Sequence, residues 1–377
     1  MMKRFMTLPA VWLTLSLCAS LQAAPPTRPL KETYRGYFDI GCAVPSLPGS
    51  FKETELALLR EQFNSLTAEN CMKPAPTEPR ENEFRFAAGD SLAAFARSNN
   101  MKLVGHCLVW HEQCPDWMFQ DGNQPAKREL VLQRMKNHIQ TLVKHYQGQV
   151  VGWDVVNEAI DEHQPNGLRR SKWLSTVGED FVEKAFQYAR EADPNVQLYY
   201  NDFDIESPGK RKQVLKLITR LKAAGCRLDA VGIQGHYALD RVPLRNLEAS
   251  IEEFYQAGVK VMITELDMDV LGRRNSGADL AMTEKAKPGA KPQAAICPPE
   301  ILKQQADQYA ELFRLLAKHR DKVTRVTFWG LHDGRSWLNT YPIQGRINHA
   351  MLFDRQCQPK PAFFSVSEAL TRTSGAR

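Results

Sequence analysis

Two glutamates, Glu158 and Glu265, each follow a short apolar run of the sequence. Glu158 ends the segment Trp153-Asp154-Val155-Val156-Asn157-Glu158, and Glu265 lies within Ile263-Thr264-Glu265-Leu266-Asp267. A carboxyl group at the end of a buried strand costs free energy unless it is paired or takes part in chemistry. Either glutamate alone could be a structural carboxylate in a salt bridge. As a pair, however, two carboxyl groups are the standard arrangement for hydrolysing a glycosidic bond.

Other polar and aromatic residues follow apolar runs in the same way. The sequence contains eight apolar runs that we predict to be strands, given below, and six of them end in such side chains. If these ends meet at one side of the fold, a purely structural role for all six sets of polar residues is difficult to justify. Tryptophan rings stack on sugars, and amides and carboxylates bind hydroxyl groups, so these residues are typical of a carbohydrate cleft. The candidate binding residues are Glu69, Asn70, Lys73, His106, Trp110, Gln113, Asn157, Gln234, His236, Trp329 and Trp337.

Other kinds of catalytic site find little support in the sequence. It contains neither the GxSxG motif of serine hydrolases nor the HExxH motif of zinc proteases. His106 and His111 could supply metal ligands, but on one strand we expect these two side chains to point to opposite faces. No Gly-rich phosphate-binding fingerprint follows the first predicted strand. We therefore expect neither a metal nor a cofactor.

The elements that must position these residues alternate along the chain. Short apolar runs are separated by amphipathic stretches, of which the clearest, within residues 302–317, has its apolar residues at helical spacing. Strands that alternate with helices indicate parallel βα units, and eight units predict a single (β/α)8 TIM barrel with its site at the C-terminal ends of the strands. The predicted strands are 38–44, 65–70, 102–110, 151–158, 196–204, 228–236, 260–267 and 325–333.

The N-terminus is predicted to be a secretory signal peptide that covers residues 1–24. Lys3 and Arg4 precede a mostly apolar run at 5–18, and Ala23-Ala24 offers a small-residue cleavage site. We therefore expect export, either to the periplasm or to the medium. Lipid anchoring through Cys18 is a minor alternative, because the bulky Leu17 before it fits a lipoprotein signal poorly.

Residues 25–377 are expected to form one catalytic barrel domain. The length of 377 residues is compatible with two domains, but no linker divides the chain, and barrels of this size occur as one domain. The polar stretch at 271–299 contains four prolines and follows the seventh predicted strand. We predict that it is a long loop on the C-terminal face of the barrel.

The composition narrows the possible partners. Hydrophobic residues make up 43% of the chain and charged residues 24%, as in ordinary folded proteins. No apolar run approaches the 18 or so residues of a membrane span, so none is expected. The net charge of +6 is small and dispersed, which argues against nucleic acid as the main partner. We expect a monomer.

In its motifs the sequence resembles glycoside hydrolase family 10, the endo-β-1,4-xylanases, from about residue 38 to residue 364. The segments that carry this resemblance follow the family's order at spacings that suit βα units. No single segment is specific, but their co-occurrence is. Besides the two glutamate segments they are Glu69-Asn70-Cys71-Met72-Lys73, Gly105-His106-Cys107-Leu108-Val109-Trp110-His111, Gly232-Ile233-Gln234-Gly235-His236, Phe328-Trp329-Gly330 and Ser336-Trp337.

The resemblance implies a retaining endo-1,4-β-xylanase that acts on xylan and xylo-oligosaccharides, with Glu158 as acid/base and Glu265 as nucleophile. Asn157 would bind the 2-hydroxyl of the sugar, His236 would orient the nucleophile, and the other candidates would line the glycone subsites. Two alternatives remain. One is a retaining β-glycanase that acts on cellulose or mixed-linkage glucan. The other is an inactive sugar-binding barrel, which should have lost one of the two glutamates, whereas both are present.

Overall fold

A computed structural model of the chain describes residues 28–47, 49–271, 296–342 and 344–371. The predicted signal peptide (1–24) and nearly all of the predicted loop at 271–299 lie outside these residues. Parallel strands form the centre of the described part. They are β1 (Asp39–Val44), β2 (Ser65–Ala68), β3 (Lys102–Trp110), β4 (Gly152–Asn157), β5 (Gln197–Asp202), β6 (Ala230–Ile233), β7 (Lys260–Asp269) and β8 (Val323–Phe328).

The strands pair in chain order, and the sheet closes on itself. β1 pairs in parallel with both β2 and β8, and β7 pairs in parallel with both β6 and β8. Gly41 in β1 lies opposite Ser65 on one side and Thr327 on the other. Closure leaves the sheet without an exposed edge. The predicted (β/α)8 barrel is confirmed.

Helices cover the outside of the barrel, at least one following each strand. Among the described residues, no helix is both long and apolar enough to span a bilayer. Short one-turn helices, a small hairpin and an additional strand at His236–Ala238 lie in the loops. The helices are α1 (Leu30–Thr33), α2 (Glu53–Gln62), α3 (Pro74–Thr77), α4 (Ala87–Ser98), α5 (Arg128–His145), α6 (Lys172–Val177), α7 (Phe181–Ala192), α8 (Pro208–Ala223), α9 (Leu244–Gln256), α10 (Pro299–Lys318) and α11 (Pro361–Ser367).

Helix α10 contains the apolar pattern that the sequence placed at helical spacing. A proline occupies its first turn, where the missing N–H costs nothing. Tyr309, Phe313 and Leu316 are buried against the barrel, and the Tyr309 hydroxyl donates to the Ala350 carbonyl at 2.8 Å. The predicted periodicity is therefore the buried face of a real helix.

Several strands are shorter at their C-terminal ends than predicted. β4 ends at Asn157 because Glu158 has a φ of 58°, and Gly330, soon after β8, has a φ of 135°. A residue in the left-handed region cannot continue a strand. β6 stops at Ile233, and pairing with β7 resumes only at His236, after Gly235. The strands thus end at the C-terminal mouth of the barrel, where the polar candidate residues follow them.

Candidate active site

Glu158 lies directly after β4 and is only 5% exposed. Trp110 Nε1 donates to Glu158 Oε2 at 2.9 Å, and Gln234 Nε2 donates to Glu158 Oε1 at 2.9 Å. The Glu158 backbone N–H donates to the Asn201 carbonyl at 2.9 Å, so β5 fixes the left-handed turn. Contacts from three neighbouring segments therefore hold this carboxyl group in one position.

The environment of Glu158 favours its protonated form. Burial, the negative charge of Asp202 and, to a smaller extent, the charge of Glu265 raise the pKa of Glu158 to about 7. The hydrogen bonds from Gln234 and Trp110 act in the opposite direction but do not offset these effects. A carboxyl group with this pKa can hold a proton near neutral pH and release it, as a general acid must.

Glu265 lies within β7, at a shift in register between Ile263 and Leu266 along the pairing with β8. Such an irregularity re-aims a side chain without ending the strand. Asn201 Nδ2 donates to Glu265 Oε1 at 2.7 Å, and His236 Nε2 is 3.0 Å from Glu265 Oε2. Burial alone would raise the pKa of Glu265. The hydrogen bond from His236, together with the charges of His106 and His236, outweighs it and lowers that pKa below its ordinary value.

His236 connects Glu265 to Asp267. Its Nδ1 lies 2.8 Å from Asp267 Oδ2, while its Nε2 faces Glu265. Burial would lower the pKa of His236, but the charges and hydrogen bonds of the two carboxylates raise it to about 9. A protonated His236 donates to both carboxylates and stabilises the ionised form of Glu265. Orientation of Glu265 by His236 stays a prediction, and this contact is the geometry that it requires.

The two glutamates are therefore driven toward opposite protonation states. Glu158 is buried beside negative charge, whereas Glu265 is buried beside a protonated histidine and an amide donor. Titratable groups whose environments separate their pKa values are the usual sign of an acid and a base or nucleophile in one site. The site can protonate a leaving group with one carboxyl group and attack with the other.

A second set of candidates lies at the ends of β2 and β3. Lys73 Nζ donates to Asn70 Oδ1 at 3.1 Å, and Asn70 Nδ2 donates to Glu69 Oε1 at 3.1 Å. The ammonium group of Lys73 also lies 4.8 Å from the centre of the Trp110 ring. His106 Nδ1 is 2.8 Å from Asp154 Oδ2. These contacts fix polar groups beside Glu158.

The two tryptophans that follow β8 lie on the other side of the site. The Trp337 ring is centred 4.9 Å from His236 and stacks on Tyr341 at 4.4 Å, and its Nε1 donates to Asp267 Oδ2 at 2.7 Å. Trp329 lies edge-on to His106, with ring centres 5.3 Å apart. The Trp337 indole thus packs beside His236 and also donates to Asp267, the aspartate that contacts His236.

The remaining candidates differ in depth. Asn157 is buried, and its Oδ1 accepts from Asn201 Nδ2 at 2.9 Å. Gln113 lies past the end of β3, where its carbonyl accepts from the Ala75 N–H at 2.8 Å while its side chain is exposed. Gln113 is therefore at the rim, whereas Glu69, Asn70 and Trp337 are partly buried and the other candidates are buried. β3 ends at Trp110, as predicted, so His111 lies just past the strand and the argument from opposite faces does not apply to it.

Sequence reasoning missed the contribution of β5. Asn201 bridges Asn157 and Glu265, and Asp202 acts on the pKa of Glu158. Their signal was present, because Asn201-Asp202 closes an apolar run just as the other site residues do. Asp154, which contacts His106, was also missed, since it lies in the middle of a strand rather than at its end.

Comparisons with known proteins agree with this geometry. The sequence model of Glycosyl hydrolase family 10 matches residues 29–369. "Endo-1,4-beta-xylanase A" of Xylanibacter ruminicola is 40% identical over 337 residues, with 88% of this chain and 90% of that protein covered. "Exoglucanase XynX" of Acetivibrio thermocellus is 37% identical over 351 residues, covering 90% of this chain and 29% of that protein. The solved structure of a GH10 endoxylanase retrieved from a sugarcane soil metagenome superposes with a TM-score of 0.86, at 38% identity over 90% of this chain and 99% of that one.

Proposed function

The chain belongs to glycosyl hydrolase family 10 and is a glycoside hydrolase, and from this premise we propose that it is a retaining endo-1,4-β-xylanase. Its substrates are xylan and xylo-oligosaccharides, in which it cleaves internal β-1,4-xylosidic bonds. One observation carries the mechanism. Glu158 and Glu265 share one site, but their pKa values move in opposite directions.

The first step forms a glycosyl-enzyme ester. The carboxylate of Glu265 attacks the anomeric carbon, the bond from that carbon to the leaving oxygen breaks, and Glu158 gives its proton to that oxygen. His236 and Asn201 orient the attacking carboxylate through their hydrogen bonds. Asn157 lies beside Glu158 and is the residue proposed to bind the 2-hydroxyl.

The second step hydrolyses the ester. Glu158, now ionised, takes a proton from water while the water oxygen attacks the anomeric carbon and the bond to Glu265 breaks. Two inversions restore the original configuration. The proton taken from water leaves Glu158 protonated and Glu265 ionised, ready for another cycle.

The decisive experiment measures both substrate and stereochemistry. Reducing-sugar release from xylan should greatly exceed release from carboxymethyl cellulose, and NMR should detect the β-anomer as the first product. An initial α-anomer would contradict double displacement.

Glu265→Gln should abolish hydrolysis with little change in melting temperature, because the replacement is nearly isosteric. Activity above a few per cent of wild type would point to another nucleophile.

A glucan-degrading activity is the second candidate, and the similarity to a protein named exoglucanase favours testing it. Glucose carries a hydroxymethyl group where xylose has none, so a glucanase needs space beside the glycone subsites. Mixed-linkage glucan assayed beside xylan distinguishes the two. A kcat/KM on glucan equal to or above that on xylan would replace the xylanase proposal.

We also propose that the protein is exported and acts as a monomer. The basic, apolar and small-residue sections at positions 1–24 support export, to the periplasm or to the medium. N-terminal sequencing of the mature protein should begin near residue 25, and cell fractionation would identify the compartment. An N-terminus at a lipid-modified Cys18 would instead show anchoring. Light scattering would test the oligomeric state.

A further inference from the structure

Behind the acid/base residue lies a buried ion pair between Asp202 and Lys210. Lys210 Nζ donates to Asp202 Oδ1 at 2.7 Å and to the Phe203 carbonyl at 2.7 Å, and it lies 3.6 Å from the centre of the Phe203 ring. Asp202 is 0% exposed and Lys210 is 5% exposed. A buried ion pair often contributes little net stability, so its presence calls for another explanation.

The second oxygen of Asp202 reaches the backbone that carries Glu158. Tyr200 donates its hydroxyl proton to Asp202 Oδ2 at 2.5 Å, and the Ile160 N–H donates to the same oxygen at 3.3 Å. The Tyr200 oxygen in turn accepts from the N–H groups of Ala159 and Ile160 at 3.0 and 3.1 Å. Asp202 therefore fixes, partly through Tyr200, the two residues that follow the left-handed Glu158.

We propose that the Asp202–Lys210 pair positions Glu158 for the acid/base step. Asp202 holds the backbone turn at Glu158 and favours the protonated form of the Glu158 carboxyl group. The positive charge of Lys210 limits this second effect. This inference rests on the proposed function, in which Glu158 is the acid. Asp202 makes no covalent contribution. It acts on Glu158 through charge and through the backbone.

The electrostatic part is consistent with the surroundings of Glu158. After burial, Asp202 makes the largest contribution to the raised pKa of Glu158, ahead of Glu265. Trp110 and Gln234 are uncharged, so they modify this balance only through hydrogen bonds. The titratable and charged groups around Glu158 are Asp202 and Glu265, whose charges act on its pKa, Arg169, which donates to its carbonyl oxygen, Cys107, and His111, which lines the same cavity. Lys73 lies one residue further away, over the Trp110 ring, and His236 contacts Glu265.

The sign of the expected effect follows from the charges. Asp202→Asn removes the negative charge and leaves Lys210, so the carboxylate of Glu158 becomes easier to form. Glu158 then loses its proton at a lower pH, so the alkaline limb of the kcat/KM profile should shift to lower pH by about one unit. In the double variant Asp202→Asn with Lys210→Met, both charges are absent. Its alkaline limb should therefore lie between those of wild type and Asp202→Asn.

Glu206→Gln is the matched control for the aspartate change. Glu206 is a buried carboxyl group in the loop after β5, and its neighbours are Asp204 and Tyr237. The replacement again turns a carboxyl group into an amide of the same shape. The alkaline limb should remain at its wild-type position. An equal shift in Glu206→Gln and Asp202→Asn would mean that the effect is general, and the proposal would fail.

The experiment records the pH dependence of kcat/KM for aryl xylobiosides with poor and good leaving groups. With phenyl xylobioside, whose leaving group needs acid assistance, the alkaline limb should lie at the highest pH in wild type, at a lower pH in the double variant and at the lowest pH in Asp202→Asn. With dinitrophenyl xylobioside, which does not, the shift of Asp202→Asn should disappear. A shift that persists on the dinitrophenyl substrate would show an action elsewhere than on Glu158.

Two results would overturn the inference without touching the proposed function. One is an unchanged alkaline limb in an active Asp202→Asn enzyme. The other is a double variant whose alkaline limb of kcat/KM lies at the wild-type position. This second result would overturn the inference even if Asp202→Asn alone does not fold. A buried lysine without its partner is strongly destabilising, whereas removal of both charges is often tolerated. By contrast, a wild-type enzyme that fails to hydrolyse xylan and xylobiosides would refute the proposed function itself.

Discussion

At the scale of single residues, the chemistry depends on what surrounds two otherwise identical side chains. Glu158 and Glu265 are equally buried, at 5% exposure each. Asp202 lies near the first and protonated His236 contacts the second, so the same desolvation gives a raised pKa in one and a lowered pKa in the other. The neighbours rather than the residue type therefore set the direction of each pKa shift, and the proposed roles of acid for Glu158 and nucleophile for Glu265 follow from these directions.

The pH profile tests this assignment. Glu158 must be protonated to assist departure, so kcat/KM on phenyl xylobioside should fall as the pH rises through about 7, the pKa of Glu158. It should also fall at acid pH, where Glu265 becomes protonated. Glu158→Gln should lose the alkaline limb together with most of its activity. An unchanged alkaline limb in that variant would show that another group titrates there.

A Trp337 variant tests the proposal that the site excludes glucosides sterically. Trp337→Ala opens space beside His236, so the ratio of kcat/KM for aryl xylobioside over aryl cellobioside should fall, by roughly 10-fold or more. Turnover of xylan should fall as well, because Asp267 Oδ2 loses the indole donor. Trp337→Phe is the control, since it keeps a ring but removes Nε1. A ratio that stays constant or rises in the alanine variant would exclude Trp337 as the steric gate.

At the scale of elements, the barrel strands are irregular where they approach the site. The pairing of β3 with β4 shifts register between His106 and Val109, and that of β7 with β8 shifts between Ile263 and Leu266. Below these shifts the packing is tight, because an added Cβ at Gly105 would lie 2.1 Å from Trp153 Cε3. His106 and Glu265 thus lie at shifts in register, and irregularities of this kind re-aim side chains without ending a strand.

Gly105→Ala tests the rigidity of this base. Trp153 is fully buried and has no room to move, so the added methyl group should lower the free energy of unfolding by about 3 kcal/mol. Gly148→Ala is the control, because its Cβ would meet no atom within 4 Å and only its positive φ is unfavourable, at about 1 kcal/mol. Urea denaturation of both variants gives the comparison. Equal losses would show that the Trp153 contact is not limiting.

At the scale of the whole molecule, closure of the barrel brings the first and last βα units together. Glu55 in α2 accepts hydrogen bonds from Arg335 Nε at 2.8 Å and is 2.8 Å from His332 Nε2, both from the segment after β8. The hydrogen bond from Arg335 is the main cause that lowers the pKa of Glu55 to about 2. This partly buried contact joins residues 280 positions apart.

Glu55→Gln tests this junction through the pH dependence of stability. A carboxyl group with a lowered pKa stabilises the folded state above its ordinary pKa, here 4.5, and the benefit disappears as the pH falls toward 2. At neutral pH the variant should be less stable by about 2–3 kcal/mol, and the difference should shrink in acid. Glu53→Gln, on the exposed side of α2, should change little. A difference that is independent of pH would exclude the ionic contribution of Glu55.

The sequence by itself determined the eight βα units and the family, and it singled out Glu158 and Glu265 as the proposed catalytic pair. Alternating strand and helix patterns encode a barrel locally, and a barrel brings all its strand ends to one rim, so Glu158, Glu265 and His236 could be grouped from their positions alone. Only the tertiary structure decided which neighbours act on each of them. Asn201 and Asp202 meet the two glutamates from a different strand, and Glu55 meets Arg335 across the closed barrel. Such contacts depend on register, turn geometry and closure, which are set by packing between distant segments, so a local pattern such as Asn201-Asp202 after an apolar run can mark a residue but not its partner.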